Sequence, residues 1–264
     1  MPSPTSRMIA EKTGAIGWMI FNNPERLNAV GLDMWQAVPE IVAGFDADPD
    51  IRVIVLKGAG DRAFVAGADI SQFGESRSSA EGVKTYEDAT TRAFDAIAEA
   101  QKPTIAMING YCIGGGLGIA LSCDLRFASE GSSFGIPAAK LGLAYAASGT
   151  GRLVHVVGPA FAKEIFFTAR RFTTDEALAL GLVNRVTAPE TLEALTRDTC
   201  ATIAENAPLT VATAKQVVDE FTKAPGNFDH EKCDALIARC FASEDYAEGR
   251  AAFMEKRKPE FKGK

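Results

Sequence analysis

The chain has 264 residues, 47% of them hydrophobic and 23% charged, and its formal net charge at pH 7 is −6. This composition is typical of a folded protein with one large domain, or with a core and a small appended unit. The acidic balance argues against nucleic acid as the main partner, while a local basic pocket for a phosphorylated ligand is compatible with it.

The chain begins with a polar segment, MPSPTSRMIAEKTG (1–14), that lacks the apolar centre of a signal peptide and any Arg-rich amphipathic pattern. We interpret it as a short untargeted tail. The sequence contains no run of about 18 apolar residues without a charge or a glycine, so no membrane span is predicted. The five cysteines are odd in number and none follow C-x-x-C, which disfavours a disulfide framework and a zinc site. Together these features predict a cytoplasmic protein without a metal site.

The next part of the chain alternates between strand-like and helix-like patterns. Apolar, β-branched runs predict strands at 15–22, 51–58, 104–110 and 124–129. The intervening runs predict helices at 32–50, at 79–101 and from the glycines at 114–116 to about Ser122. Strands that alternate with helices indicate βαβ units and a mainly parallel sheet, so the predicted fold class is α/β.

After about residue 158 the pattern predicts helices only. A capping box from Thr173 to Glu176 starts one helix, and Gly181 is its predicted stop. Further helices are predicted near 189–206, 208–223, 228–242 and 244–257. We therefore divide the chain into an α/β core, residues 1–200, and a C-terminal helical region, residues 201–264.

The most informative stretch is NGYCIGGGLGIALSCDLRFAS (109–129), in which three glycines separate a predicted strand from a predicted helix. It does not match G-x-G-x-x-G or a P-loop, and no G-x-S-x-G or H-E-x-x-H pattern occurs elsewhere. The first N–H groups of a helix have no internal partner and lie at the positive end of its dipole, and glycine permits close approach. Such a turn can hold a carbonyl oxygen that becomes negative during a reaction, although tight strand–helix packing alone also explains the glycines.

A second stretch, DRAFVAGADI (61–70), also places small residues at the end of a predicted strand. Two such turns, each after a buried strand, can face one pocket. We therefore predict that the backbone N–H groups of Ala68 and Gly115 form a two-donor oxyanion hole.

With these stretches in place, the sequence resembles the crotonase superfamily, the enoyl-CoA hydratase/isomerase group. The segments that carry the resemblance run in family order along nearly the whole chain: NNPERLNAV (22–30), FVAGADI (64–70), residues 109–129, FGIPAAKLGL (134–143), SGTGRL (148–153), ALALGLVNRV (177–186) and AFMEKRKPEF (252–261). The resemblance implies a spiral of ββα turns with a C-terminal helical trimerisation region, assembled as a trimer or a pair of trimers.

The resemblance also implies an acyl-coenzyme A thioester as substrate, with coenzyme A as part of it and no prosthetic group. The thioester carbonyl would be held by the N–H groups of Ala68 and Gly115. Arg26 and Ala66 match positions that border coenzyme A. Phe253 and Lys256 match C-terminal positions that reach the nucleotide, often from a neighbouring subunit, while for Lys256 a solvated charged chain end is an equal alternative.

The sequence departs from the family where hydratases carry two glutamates, because it has Gly118 and Ala138 at those positions. Neither residue can transfer a proton. Tyr145 is the main polar candidate that remains, and it matches a tyrosine of methylmalonyl-CoA decarboxylase-like members; a pocket-lining aromatic is the alternative interpretation.

These departures predict an acyl-CoA lyase that works through a stabilised enolate, with decarboxylation as the most economical reaction. In a decarboxylation the leaving carboxylate supplies the electron pair, so no catalytic base is needed. An enoyl-CoA hydratase or isomerase that uses Tyr145, water or an unrecognised acid is one alternative. A catalytically degenerate acyl-CoA-binding protein is another.

Overall fold

The structure is a computed structural model, and it describes residues 3–69, 80–223 and 226–264. Its strands are β1 (Met8–Thr13), β2 (Ile16–Phe21), β3 (Val53–Gly58), β4 (Ala63–Val65), β5 (Thr104–Ile108), β6 (Tyr111–Ile113), β7 (Leu125–Ser129), β8 (Ser133–Gly135) and β9 (Arg185–Thr187). Its α-helices are α1 (Leu32–Ala47), α2 (Ala80–Ala98), α3 (Gly115–Ser122), α4 (Ala147–Thr168), α5 (Thr174–Ala179), α6 (Leu192–Ala204), α7 (Pro208–Phe221), α8 (His230–Phe241) and α9 (Glu244–Glu255).

The strands form two sheets that the chain visits in turn. The larger sheet has the order β1-β2-β3-β5-β7-β9, and the smaller has the order β4-β6-β8. Apart from the antiparallel β1–β2 pair, neighbouring strands are parallel. Each pass along the chain thus adds one strand to the larger sheet and a short one to the smaller, as β3–β4, β5–β6 and β7–β8. This is the ββα spiral that the resemblance implies.

The central strands are apolar on both faces because both faces of the larger sheet are covered. Along β3, Ile54 and Leu56 belong to one buried cluster, with side chains of α1, α2 and α3, whereas Val53 and Val55 belong to a second cluster that includes α6. Successive strand residues point to opposite faces, so this alternation is expected of a strand buried on both sides. The predicted strand at 51–58 is therefore confirmed in type and nearly in its bounds.

Two sequence interpretations are wrong. The segment after residue 158 is not purely helical, because β9 extends the larger sheet by pairing with β7 at Phe127 and Arg185. The N-terminal segment is not only a tail, because Met8–Thr13 pairs along its whole length with β2. Both strands lie at the edges of the sheet and contain polar residues. Their apolar pattern is too short to indicate a strand on its own.

The C-terminal helices follow α6, which packs on the larger sheet through Leu192 and Cys200. Residue 200 lies inside α6, and the proposed division between the two regions stays a prediction. The chain end returns to the core, where Arg52 Nη2 donates to the Phe261 carbonyl at 3.1 Å. Within the described residues, no helix is both long and apolar enough to cross a membrane.

Candidate active site

The Ala68 amide lies in a turn directly after β4. Gly67 has φ 109°, a conformation that favours glycine. Val30 bridges both neighbours of Ala68: its N–H donates to the Gly67 carbonyl at 2.9 Å, and its carbonyl accepts from the Asp69 N–H at 3.0 Å. In a parallel bridge of this kind the central residue directs its own N–H away from the partner strand. Within the described residues, the Ala68 N–H accordingly has no hydrogen-bond acceptor.

The Gly115 amide lies at the start of α3. Gly114 turns the chain out of β6 with φ 55° and donates its N–H to the Gly135 carbonyl at 2.8 Å. Gly115 is the first helical residue, so its N–H has no partner inside the helix. No acceptor for it is found in the part of the chain that the structure describes. Gly116 is required next to it, because a Cβ there would lie 2.1 Å from the Val65 carbonyl oxygen.

The two amides lie side by side. β4 and β6 are parallel neighbours, so their carboxyl ends, and the turns that follow them, lie at the same edge of the smaller sheet. A Cβ built on Gly115 would lie 3.9 Å from the Ala68 nitrogen. A Cβ built on Gly114 would lie 3.9 Å from the Gly67 Cα. The backbone therefore brings two unpaired N–H donors together, an arrangement suited to an oxyanion.

Tyr145 lies beside the glycine turn. Its hydroxyl is 4.0 Å from the position of a Cβ on Gly114, and its ring packs edge-on against Phe166 with the centroids 5.5 Å apart. Burial raises the pKa of the Tyr145 hydroxyl above its ordinary value of 10.0. The side chain is therefore a neutral phenol that can donate a hydrogen bond or a proton at the site.

The wall around Gly118 and Ala138 is apolar. A Cβ on Gly118 would lie 2.6 Å from Phe94 Cζ, so the aromatic ring fills the space that a larger side chain would need. Phe94 packs edge-on against Trp35 with the centroids 5.4 Å apart. Ala138 is buried in the short 3-10 helix that follows β8. At Gly118, the packing of Phe94 therefore leaves no room for a glutamate without rearrangement.

The thiol nearest in sequence to the glycine turn is Cys112 on β6, which is fully buried. Burial raises the pKa of the Cys112 thiol far above its ordinary value of 9.0. It is therefore protonated and unsuited to act as a nucleophile. Among the described residues, no cluster of three or more His, Cys, Asp or Glu side chains is arranged to hold a metal ion.

Arg26 and Ala66 lie on the rim next to the Ala68 turn. Arg26 Nη1 is 3.2 Å from the Asp69 carboxylate, while its side chain is 55% exposed. The Ala66 N–H donates to the Leu27 carbonyl at 3.0 Å, which ties the two segments together. The guanidinium is thus held beside the Ala68 turn with about half of its side chain exposed.

Phe253 and Lys256 lie apart from this group, on and just after α9 in the C-terminal helices. Phe253 is 83% exposed, and Lys256 is exposed in a left-handed conformation that ends the helix. Their predicted contribution to a site, from a neighbouring subunit, stays a prediction.

Three aromatic residues next to the site are not singled out by the sequence: Trp35, Tyr86 and Phe94. Each reads as an ordinary apolar position of an amphipathic helix, and only the packing of α1 and α2 against α3 brings them to the glycine turn. A buried Trp or Tyr must find a partner for its polar atom, which is the one general signal that the sequence offers.

Comparison with known proteins identifies the family. The sequence profile described as enoyl-CoA hydratase/isomerase matches residues 11–264. A short-chain-enoyl-CoA hydratase of Clostridium acetobutylicum is 35% identical over 255 residues, which cover 97% of each chain. A crotonyl-CoA hydratase of Syntrophomonas wolfei is 34% identical over 96% of this chain and 97% of the relative.

The solved structures agree. An enoyl-CoA hydratase/carnithine racemase of Magnetospirillum magneticum matches with a TM-score of 0.94 and 36% identity, covering 99% of this chain and 97% of that one. These names include no decarboxylase, so the branch within the superfamily stays open. The family itself is established, because the profile, the related sequences and the solved fold agree over almost the full length. The chain belongs to the enoyl-CoA hydratase/isomerase family, within the crotonase superfamily.

Proposed function

We propose that this enzyme decarboxylates a malonyl-type coenzyme A thioester through an enolate held by the N–H groups of Ala68 and Gly115. The observation that carries the proposal is the Phe94 ring, which fills the space beside Gly118 where a proton-transferring side chain would have to stand. The second hydratase position is Ala138. The described residues therefore offer two N–H donors for the thioester carbonyl but lack the two glutamates that hydratases carry at these positions. A reaction that makes an enolate without a base fits such a site best.

The chemistry needs one bond to break and one to form. The bond between the α-carbon and the substrate carboxylate breaks, CO2 leaves, and the electron pair passes into the thioester as an enolate. The negative charge on the thioester oxygen is stabilised by the two amides, each worth about 2.7–4 kcal/mol in comparable oxyanion holes. A proton then adds to the α-carbon and gives the saturated acyl thioester.

The apolar wall supports the bond-breaking step. A carboxylate next to Phe94, Gly118 and Ala138 has few hydrogen-bond partners, whereas CO2 is uncharged and needs none. We assign the proton donor to Tyr145, because its hydroxyl lies beside the glycine turn and its phenol stays protonated. After donation it recovers its proton from water.

The remaining binding assignments follow the resemblance. In this proposal Arg26 and Ala66 border coenzyme A, and Phe253 and Lys256 contact the nucleotide of a neighbouring subunit in a trimer or a pair of trimers. The exposed position of Phe253 is compatible with a contact between subunits.

Hydration of an enoyl-CoA thioester is the second candidate, and the names of the relatives favour it. Both curated relatives described above are named as hydratases and align over nearly the whole chain. In a hydration, water adds its hydroxyl to the β-carbon and a proton to the α-carbon, so a proton acceptor and a proton donor are needed. At the two hydratase positions this chain provides neither.

The test is a direct comparison of substrates with the purified full-length protein. Malonyl-CoA and methylmalonyl-CoA are assayed for CO2 release, and crotonyl-CoA for loss of its enoyl absorbance. The proposal predicts CO2 release with little or no hydration. Hydration of crotonyl-CoA without CO2 release would instead establish the second candidate, and tight binding without turnover would indicate a degenerate acyl-CoA-binding protein.

A further inference from the structure

Behind the two amides lies a buried pair of aromatic side chains joined by a hydrogen bond. Trp35 on α1 and Tyr86 on α2 are 1% and 3% exposed. The Trp35 Nε1–H donates to the Tyr86 hydroxyl at 2.8 Å, and that hydroxyl donates onward to the Val30 carbonyl at 3.2 Å. The phenol thus connects two helices to the segment that precedes α1.

Through Val30, the aromatic pair is connected to the Ala68 amide. The Val30 carbonyl also accepts the Asp69 N–H, and the Val30 N–H donates to the Gly67 carbonyl, so Val30 holds the residues on both sides of Ala68. A shift of the Val30 carbonyl would therefore rotate the Ala68 amide.

Through the indole ring of Trp35, the aromatic pair packs beside the Gly115 amide. A Cβ on Gly115 would lie 3.2 Å from Trp35 Cζ2 and 3.4 Å from Cη2. The same point is 3.9 Å from the Ala68 nitrogen, so the six-membered edge of the indole packs where the two turns meet. The position of this ring sets how closely Gly115 can approach Ala68.

The hydroxyl that links both contacts has a use beyond packing. If it were removed, the indole N–H would be left buried without its acceptor, an arrangement that proteins avoid. Trp35 and Val30 would then relax, and a displacement of about 1 Å at a reacting group can lower a rate by about 10²-fold.

We propose that Tyr86 is a positioning residue that keeps the Ala68 and Gly115 amides convergent by holding Val30 and Trp35 at once. This inference rests on the proposed oxyanion hole, but not on which reaction the enzyme performs. It assigns Tyr86 no contact with substrate.

The test is the infrared carbonyl stretch of butyryl-CoA labelled with ¹³C at the thioester carbonyl, bound to the full-length protein. Butyryl-CoA has no scissile carboxylate and no double bond, so the probe reports only how strongly the carbonyl is polarised. Tyr86→Phe removes the hydroxyl and keeps the ring. Tyr246→Phe, on the exposed surface of α9, is the matched control.

In the wild type and in Tyr246→Phe, we expect a stretch shifted to lower frequency than that of free butyryl-CoA. In Tyr86→Phe, the stretch should move back toward the free value, with the affinity for butyryl-CoA changed by less than about threefold. Turnover of the true substrate should fall on the order of tenfold, less than for loss of a whole donor, and mainly in kcat.

Trp35→Phe, which removes the indole N–H and its outer edge, should shift the stretch in the same direction and serves if Tyr86→Phe does not fold. An unchanged stretch in folded Tyr86→Phe, with a polarised wild type, would overturn this inference and leave the oxyanion hole intact. An unpolarised carbonyl in the wild type would overturn the oxyanion hole itself and this inference with it.

Discussion

The two sides of the site are made from different parts of the chain. One side, the amide wall, consists of the main-chain N–H groups of Ala68 and Gly115. The other side, the acid wall, consists of the positions of Gly118 and Ala138, where the family's hydratases carry glutamates. In this chain both N–H groups of the proposed amide wall lack an acceptor within the described residues, and neither position of the acid wall carries an acid.

The difference follows from what each wall depends on. The amide wall depends on the path of the backbone, which is fixed by the parallel pairing of β4 with β6 and by Gly116, where a Cβ would lie 2.1 Å from the Val65 carbonyl. The acid wall depends on which side chains stand at these two positions and, at Gly118, on the Phe94 ring packed against it. A fold can therefore retain backbone N–H donors for a thioester carbonyl while the side chains that determine the reaction change.

The largest effect is expected from breaking the amide wall. Ala68→Pro removes one N–H donor that makes no hydrogen bond within the described residues, so the fold should survive. Turnover should fall by about 10²–10³-fold, as for loss of one oxyanion donor. Steady-state kinetics measures this, with Ala68→Ser as a control that keeps the amide. A proline variant that retains turnover within about tenfold of the wild type would contradict the assignment.

A second large effect is expected from forcing an acid into the acid wall. Gly118→Glu places a side chain against the Phe94 ring and buries a carboxylate, so the free energy of unfolding should fall by at least about 2 kcal/mol. Denaturant unfolding measures the loss. Gly151→Glu is the matched control, because no atom lies within 4 Å of a Cβ at that position.

The double variant Gly118→Glu/Phe94→Ala should recover part of the lost stability, since the ring no longer competes for the same space. A fully stable Gly118→Glu that hydrates crotonyl-CoA would show that the packing of Phe94 does not exclude an acid.

A smaller effect is expected at Tyr145, which lies beside the glycine turn. Tyr145→Phe should lower turnover about tenfold or more, because general acids typically contribute at least that much. Burial raises the pKa of the phenol above 10.0, and the protonated form is the donor. The wild-type rate should therefore show no loss through this group as the pH rises to about 10. An unchanged rate in Tyr145→Phe would mean that water delivers the proton.

The smallest effect is expected on the rim. Arg26→Gln removes a guanidinium that is half exposed beside Asp69. Exposed charge pairs contribute about 0.2–1 kcal/mol, so KM for the thioester should rise roughly 1.4- to fivefold with kcat unchanged. Arg185→Gln, at an exposed position on β9, is the control. An unchanged KM would remove Arg26 from the coenzyme A site.

Much of the fold could be predicted from the sequence because local sequence patterns determine its main strands and helices. The buried strand at 51–58 is continuously apolar, and the capping box at Thr173 and Glu176 forms as expected, with both hydrogen bonds present. The sequence does not predict the three-residue strands β4, β6, β8 and β9, since three residues do not establish a period, nor the mostly polar edge strand β1.

The candidate site divides in the same way. The glycines at 114–116 and the small residues around Gly67 predict a close approach of the backbone. The sequence therefore indicates Ala68 and Gly115 as candidate N–H donors. Phe94, Trp35 and Tyr86 could not, because their importance comes from which helix packs on which turn. Nothing in a helical apolar pattern distinguishes a ring that shapes a site from one that fills a core.

The central claim is that one thioester oxygen accepts hydrogen bonds from both amides. A crystal structure with butyryl-CoA bound tests it most directly. We predict that this oxygen lies within about 2.7–3.1 Å of both the Ala68 and the Gly115 nitrogen. An oxygen bound elsewhere, or either amide paired with a carbonyl of the protein itself, would contradict it.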